Sequence, residues 1–152
     1  METFDKSPVP HLPGARIALV AARYYKDIVD QLIEGASAII AEAGGRVDVI
    51  DIPGAFEAPG AIALLAGRYD GFIALGCVIR GETTHYDYVC GESARGLMDL
   101  SVREKLAIGY GILTVENMAQ AQDRADPKRR DKGGEAARAC LAMLALARQV
   151  QA

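Results

Sequence analysis

Four short apolar runs set the terms for this chain. RIALVAA, RVDVIDI, FIALGCVI and LAIGYGILTV occur in that order, and each is followed by a segment of turn or helical character. Runs of this length and content suit parallel strands buried between layers, whereas the intervening segments carry the 3–4 spacing of helices. Ile28, Leu32, Ala36, Ile39 and Ile40 mark one face of a helix over 26–43, and AGG at 43–45 ends it. PGAFEAPGAIALLAGR predicts a turn at Pro53–Gly54 and a helix reaching Arg68. Further helices are predicted over 85–99, from NMAQAQDRA with Asn117 and Gln120 as a capping box, and over 135–150. The strand–helix alternation predicts an α/β domain, a three-layer α/β/α sandwich around a four-stranded parallel sheet of flavodoxin-like type. Residues 1–14 hold Pro8, Pro10 and Pro13 and read as an extended arm ahead of a single domain over 15–152.

Composition narrows the function classes. At 152 residues, with 51% hydrophobic and 24% charged residues, the chain is long enough for one domain with a sizeable core. Its net charge of -3 argues against general nucleic-acid binding, and KRRDK at 128–132 alone reads as a solvated turn. The apolar runs are too short to span a bilayer, and METFDKSPVPHLPG lacks the apolar core of a signal peptide, so no membrane partner and a cytoplasmic location are expected. Cys77, Cys90 and Cys140 share no CxxC spacing and lie in apolar segments, which suits reduced core thiols and no zinc site.

In an open parallel sheet, ligands bind beyond the carboxyl ends of the strands. That rule singles out Ala22–Tyr25, Pro53–Glu57, Gly76–His85 and Thr114–Asn117. The third loop, in GCVIRGETTHYDYV, is close to a P-loop: Gly76 and Gly81 have the required gap, but Glu82 stands where the lysine belongs. Thr84 and Asp87 fit a capping box that places His85 in a first helical turn, where backbone amides from Glu82 and Thr83 and the Thr83 hydroxyl could hold an anion. His85 reads either as a proton carrier or as a polar residue without a role. Arg80 reads as an anion ligand or as the partner of a nearby carboxylate. Phe56 with Glu57 suits a heterocycle, and Tyr24 offers a second stacking surface; Phe56 as a core staple is the plainer alternative. Tyr110 fits core, interface or ligand contact equally. Arg124 and Lys132, taken singly, are surface charges. ARYY after the first strand is not GxGxxG, and neither GxSxG nor a full Walker A motif occurs.

Taken together, PGAFEAP, GCVIRGETTHYDYV, GILTVEN and KGGEAA resemble the 6,7-dimethyl-8-ribityllumazine synthase family, from about Arg16 to the C-terminus. The resemblance implies a transferase of riboflavin biosynthesis that condenses 5-amino-6-ribitylamino-2,4-pyrimidinedione with 3,4-dihydroxy-2-butanone 4-phosphate, with no cofactor and no metal. It implies that the pyrimidine stacks on Tyr24 and meets Ala55, Phe56 and Glu57, with Cys77, Val78 and Ile79 along the third strand. The butanone phosphate would lie on Glu82 and Thr83, with Arg124 and Tyr110 reaching across a subunit boundary. His85 matches the proton-transfer histidine and Lys132 a lysine near the ribityl and phosphate groups. The family forms pentamers with shared active sites, some packed into 60-subunit shells, and the N-terminal arm would add a strand to a neighbour's sheet. Two departures stand out: Tyr25 occupies a place where many members have a small polar residue, and DPKRRD lacks the glycine of shell-forming members, which favours an isolated pentamer. A non-catalytic flavin- or lumazine-binding or shell-forming paralogue is the alternative, and an unrelated flavodoxin-like phosphate binder the remoter one.

Overall fold

The computed structural model describes residues 8–152, so the first seven residues of the expected arm lie outside the described residues. Among the described residues, β1 (Arg16–Ala22), β2 (Arg46–Ile52), β3 (Gly71–Ile79) and β4 (Ile108–Val115) form one parallel sheet in the order β2-β1-β3-β4. The helices are α1 (Lys26–Glu42), α2 (Ala58–Leu65), α3 (His85–Arg103), α4 (Met118–Ala125) and α5 (Lys132–Gln151), with a 3-10 turn at Ala55–Glu57. The expected four-stranded α/β/α sandwich is therefore present. No helix among the described residues is long and apolar enough to cross a membrane.

Burial explains the strand order. β1 and β3 lie between other strands and are buried on both faces, so their sequences are continuously apolar. β2 is an outer strand, and its alternating RVDVIDI is mostly exposed. Ile17, Leu19, Ala21, Ile73 and Leu75 point to the layer holding α1 and α5, where Leu32, Ile40, Cys140 and Leu141 complete one core. Ala18, Val20, Phe72, Ala74 and Ile112 point the other way, to a smaller core with Ala58, Ile62, Val89 and Leu97 of α2 and α3.

α1 ends as its AGG predicted. Gly44 takes φ 84, its N–H donates to Ala41 O, and the Gly45 N–H donates to Ile40 O, the paired bonds of a Schellman stop. Three other boundaries differ from expectation. α2 stops at Leu65 rather than Arg68, because Ala66 turns extended and Gly67 follows at φ 88. α3 runs on to Arg103, since Leu100 still packs against the α2–α3 core. α5 begins at Lys132 rather than 135, because the Asp131 side chain caps the Gly134 N–H at 3.1 Å. Ahead of β1, Leu12 is buried and its N–H donates to Ala43 O at 2.8 Å, which ties this segment to the α1–β2 turn.

Candidate active site

The strand order reverses direction at β1, so the loops after β1 and β3 diverge and leave a crevice at their carboxyl ends. A cleft of about 690 Å³ opens there. Its walls come from three of the four loops that the strand-end rule singled out: Ala22, Tyr24 and Tyr25 after β1, Pro53 to Glu57 after β2, and Cys77, Val78, Ile79 and His85 around the end of β3, with Val89 beyond.

The Pro53–Glu57 turn is compact. The Glu57 N–H donates to Gly54 O at 3.2 Å, and the Glu57 carboxylate lies over Gly54, where a Cβ would make ordinary contact with it at 3.4 Å. Ala55 is buried beneath the turn, while Phe56 keeps 57% of its surface exposed. Phe56 is therefore not a core staple in this chain; it offers its ring to the cleft. Opposite, Tyr24 is 80% exposed and meets Tyr25 edge to face, with ring centroids 4.9 Å apart. Burial pushes the Tyr25 phenol above its ordinary pKa, with the neighbouring Tyr24 and Cys77 adding to the shift. The Cys77 thiol is raised to about 11, again by burial. It stays protonated at neutral pH and serves as a small apolar wall rather than a nucleophile.

The β3–α3 turn departs from its expected capping. Thr84 is the N-cap residue, but its side chain caps nothing. The Thr83 hydroxyl takes the His85 N–H instead, at 3.3 Å, and the Asp87 N–H goes to Thr84 O at 3.0 Å. Of two adjacent threonines, the earlier one reaches the first-turn amide. Asp87 likewise does not return to the cap; Arg80 Nη1 donates to it at 3.4 Å. Arg80 Nε also donates to both carboxylate oxygens of Glu116, at 3.0 and 3.2 Å. No described residue accepts the backbone N–H of Glu82 or Thr83, and both residues are exposed just ahead of a nineteen-residue helix.

Eight residues singled out from the sequence thus meet in the cleft: Tyr24, Ala55, Phe56, Glu57, Cys77, Val78, Ile79 and His85. Glu82 and Thr83 stand exposed just outside it. Tyr110, Arg124 and Lys132 do not line it. Tyr110 projects from β4 on the α3 side, where burial raises its phenol and Ser93 and Cys90 lie close. Arg124 Nη1 donates to Gln120 O of its own helix at 3.2 Å, and Lys132 pairs with Glu135 at 2.8 Å. Asn117 caps α4 through the Gln120 N–H as expected, but the Gln120 side chain accepts from Glu116 N rather than closing back on Asn117. Tyr25, Ala22, Pro53 and Gly54 also line the cleft, all within loops singled out from the sequence, and Tyr25 is one of the two departures noted there; Val89 is the lining residue outside those loops. Val89 had a signal, since it lies one helical turn after His85 on the same face.

A family model for 6,7-dimethyl-8-ribityllumazine synthase matches residues 14–148. Three relatives carry that same name. The protein of Novosphingobium aromaticivorans is 58% identical over 134 residues, covering 87% of this chain and 96% of its own. That of Methylobacterium radiotolerans is 57% identical, covering 97% and 91% respectively. That of Methylorubrum populi is 55% identical, covering 94% and 89%.

Proposed function

The chain belongs to the 6,7-dimethyl-8-ribityllumazine synthase family, and from that premise we propose how its cleft divides the work between two substrates. The enzyme is a transferase of riboflavin biosynthesis. It condenses 5-amino-6-ribitylamino-2,4-pyrimidinedione with 3,4-dihydroxy-2-butanone 4-phosphate to 6,7-dimethyl-8-ribityllumazine, releasing phosphate and water. One observation carries the division: the Phe56–Glu57 turn, the Cys77–Ile79 strand end and His85 face one cleft, with exposed Glu82 and Thr83, whose N–H groups no described residue accepts, beside it.

In this reading the pyrimidinedione stacks between Tyr24 and Phe56, and its polar edges pair with backbone at Ala55 and Cys77 to Ile79 and with Glu57. The butanone phosphate rests on the α3 N-terminus, where free amides and the helix dipole favour an anion without a lysine or a metal ion. The substrate amine attacks the ketone carbonyl to give an imine with loss of water. Phosphate then leaves, and ring closure expels a second water. His85 moves protons between these steps. Holding two reactive molecules together supplies most of the acceleration.

Tyr110, Arg124 and Lys132 enter from a second copy. The support is their position away from the cleft of their own chain, together with exposed Leu64, Tyr88, Met98 and Val102 on the α2–α3 side, an apolar surface that another subunit would cover. The assembly is a pentamer, with the glycine-free DPKRRD turn favouring pentamers that stay separate. The arm of one subunit extends the neighbour's sheet at the outer strand β2. The three free thiols Cys77, Cys90 and Cys140 suit a reducing, cytoplasmic compartment.

Lumazine formation followed by absorbance, against the slow unaided condensation, tests the whole reading. Saturable acceleration by both substrates is expected. His85→Ala lowers kcat about tenfold to a hundredfold, at or below the low end for general acid–base groups, without abolishing it. Complete loss of turnover with both substrates still bound would show that His85 is indispensable to the chemistry and that positioning is not the main contribution.

A further inference from the structure

Arg80 is the first residue after β3, and its N–H donates to Val115 O at 3.0 Å, adding one rung to the β3–β4 ladder. Its side chain then reaches two turns at once. The guanidinium lies 4.2 Å from the centre of the Tyr86 ring and 3.4 Å from Asp87, both in the first turn of α3. From the same position its Nε holds the Glu116 carboxylate in the β4–α4 turn. That second turn is itself closed: the Glu116 N–H donates to the Gln120 side chain at 2.8 Å, and Asn117 accepts the Gln120 N–H at 2.9 Å.

We infer that Arg80 is a positioning residue: it clamps the β3–α3 turn, with its Glu82 and Thr83 amides and His85, to the β4–α4 turn and the helix that carries Arg124. Of the two roles open to Arg80 in the sequence, anion ligand or carboxylate partner, the geometry selects the second, since Nε and Nη1 both face carboxylates. The inference rests on the substrate assignment above and deepens it. Exposed ion pairs contribute little to global stability. Arg80, Asp87 and Glu116 all keep substantial exposure, so losing the clamp leaves the fold standing while the two turns drift. A drift of about an ångström is enough to cost up to about a hundredfold in productive binding.

Arg80→Met, Arg80→Lys, Glu116→Gln and the Arg80→Met/Glu116→Gln double variant test this in the full chain. Steady-state kinetics with each substrate varied should show KM for the butanone phosphate raised about tenfold in Arg80→Met, within the range a small misplacement produces. KM for the pyrimidinedione should hold, and kcat should fall by less than in His85→Ala, because His85 rides on the same turn. Glu116→Gln should move in the same direction, and the double variant should be no worse than Arg80→Met. Lysine lacks the planar fork, so Arg80→Lys should stay nearer to Arg80→Met than to the parent. Full recovery with lysine would mean that charge alone matters and would overturn the clamp, as would equal rises in both KM values. Amide hydrogen exchange gives a readout independent of turnover: in Arg80→Met, residues 80–87 and 116–121 should exchange faster together, with the rest unchanged. Unaltered exchange in both segments would refute the clamp even in an active enzyme. A parent protein that does not accelerate the condensation would instead refute the substrate assignment, with exchange still reporting on Arg80.

Discussion

The two faces of the sheet are finished in different ways. On the α1–α5 face the chain closes its own core. Cys140 and Leu141 are fully buried, and helices and strands approach until backbones touch. Gly133 lets α5 lie directly on α1, where a Cβ would strike the Leu32 carbonyl oxygen. Gly109 does the same for α5 against β4, where a Cβ would strike the Ala136 carbonyl. The α2–α3 face has a smaller core around Phe72 and Ile62 and leaves Leu64 85%, Tyr88 68%, Val102 67% and Met98 63% exposed. Tyr88, Met98 and Val102 share one side of α3. Both faces draw on the same apolar vocabulary, and α5 also keeps Met143, Leu146 and Val150 exposed, but the α2–α3 side keeps more of its large apolar side chains exposed. The cleft lies at the strand ends where these two faces meet, with Val89 from the open side and Tyr25 packed toward the closed side.

Gly133→Ala would break the closed face most severely. Two backbones cannot both yield, so the substitution should cost about 3 kcal/mol, the upper part of the range for overpacking, read by urea unfolding. A midpoint unchanged within error would mean that α5 can lift off α1 freely. Met98→Lys sharpens the contrast from the other side. It should leave the helical circular dichroism of the chain intact while sedimentation shows loss of the larger species, a charge in an apolar contact costing about 2 kcal/mol or more. An unchanged particle mass would show that no copy covers this side of α3.

Asp131, at the junction of α1 and α5, gives the smallest effect. It adopts φ 46, caps α5, and sits so close to Gly35 that a Cβ there would strike its carboxylate. Burial raises its pKa above the ordinary 3.8, outweighing the Gly134 hydrogen bond and Arg138, which lower it. A carboxyl with a raised folded pKa binds its proton more tightly when folded. Its contribution is therefore most favourable below the unfolded pKa and declines as pH rises through the folded value. Asp131→Asn keeps the capping oxygen and tolerates positive φ, so stability at pH 7 should change by less than about 0.5 kcal/mol. The decline just above pH 3.8 should flatten in thermal melts taken across that range. Asp131→Ala, by contrast, should lose about 1 kcal/mol with the cap. An identical acid limb in parent and Asp131→Asn would remove Asp131 as its source.

Element order was readable in the amino-acid string because its causes are local. Strand burial writes continuous apolar runs, helix burial writes the 3–4 spacing, and Gly44 writes a stop. The cleft was readable to the same extent, since ligand loops follow strand ends and PGAFE and GCVIRGETTH sit there. Local chemistry stopped being sufficient where two neighbours competed. The Thr83 hydroxyl accepts the His85 N–H, while the Asp87 N–H expected for the Thr84 hydroxyl goes to the Thr84 carbonyl; Asp131 likewise starts α5 ahead of position 135. The remaining features depended on distant parts of the chain meeting. Arg80 finds Glu116 across 36 positions only because β3 and β4 are paired in register. Tyr25 becomes a wall of the cleft only because the sheet order sets β1 beside β3. Local sequence specifies which segments form strands and helices through side-chain periodicity. Which side chains share a site follows from strand order and crossover direction, which are set by the burial of both sheet faces at once.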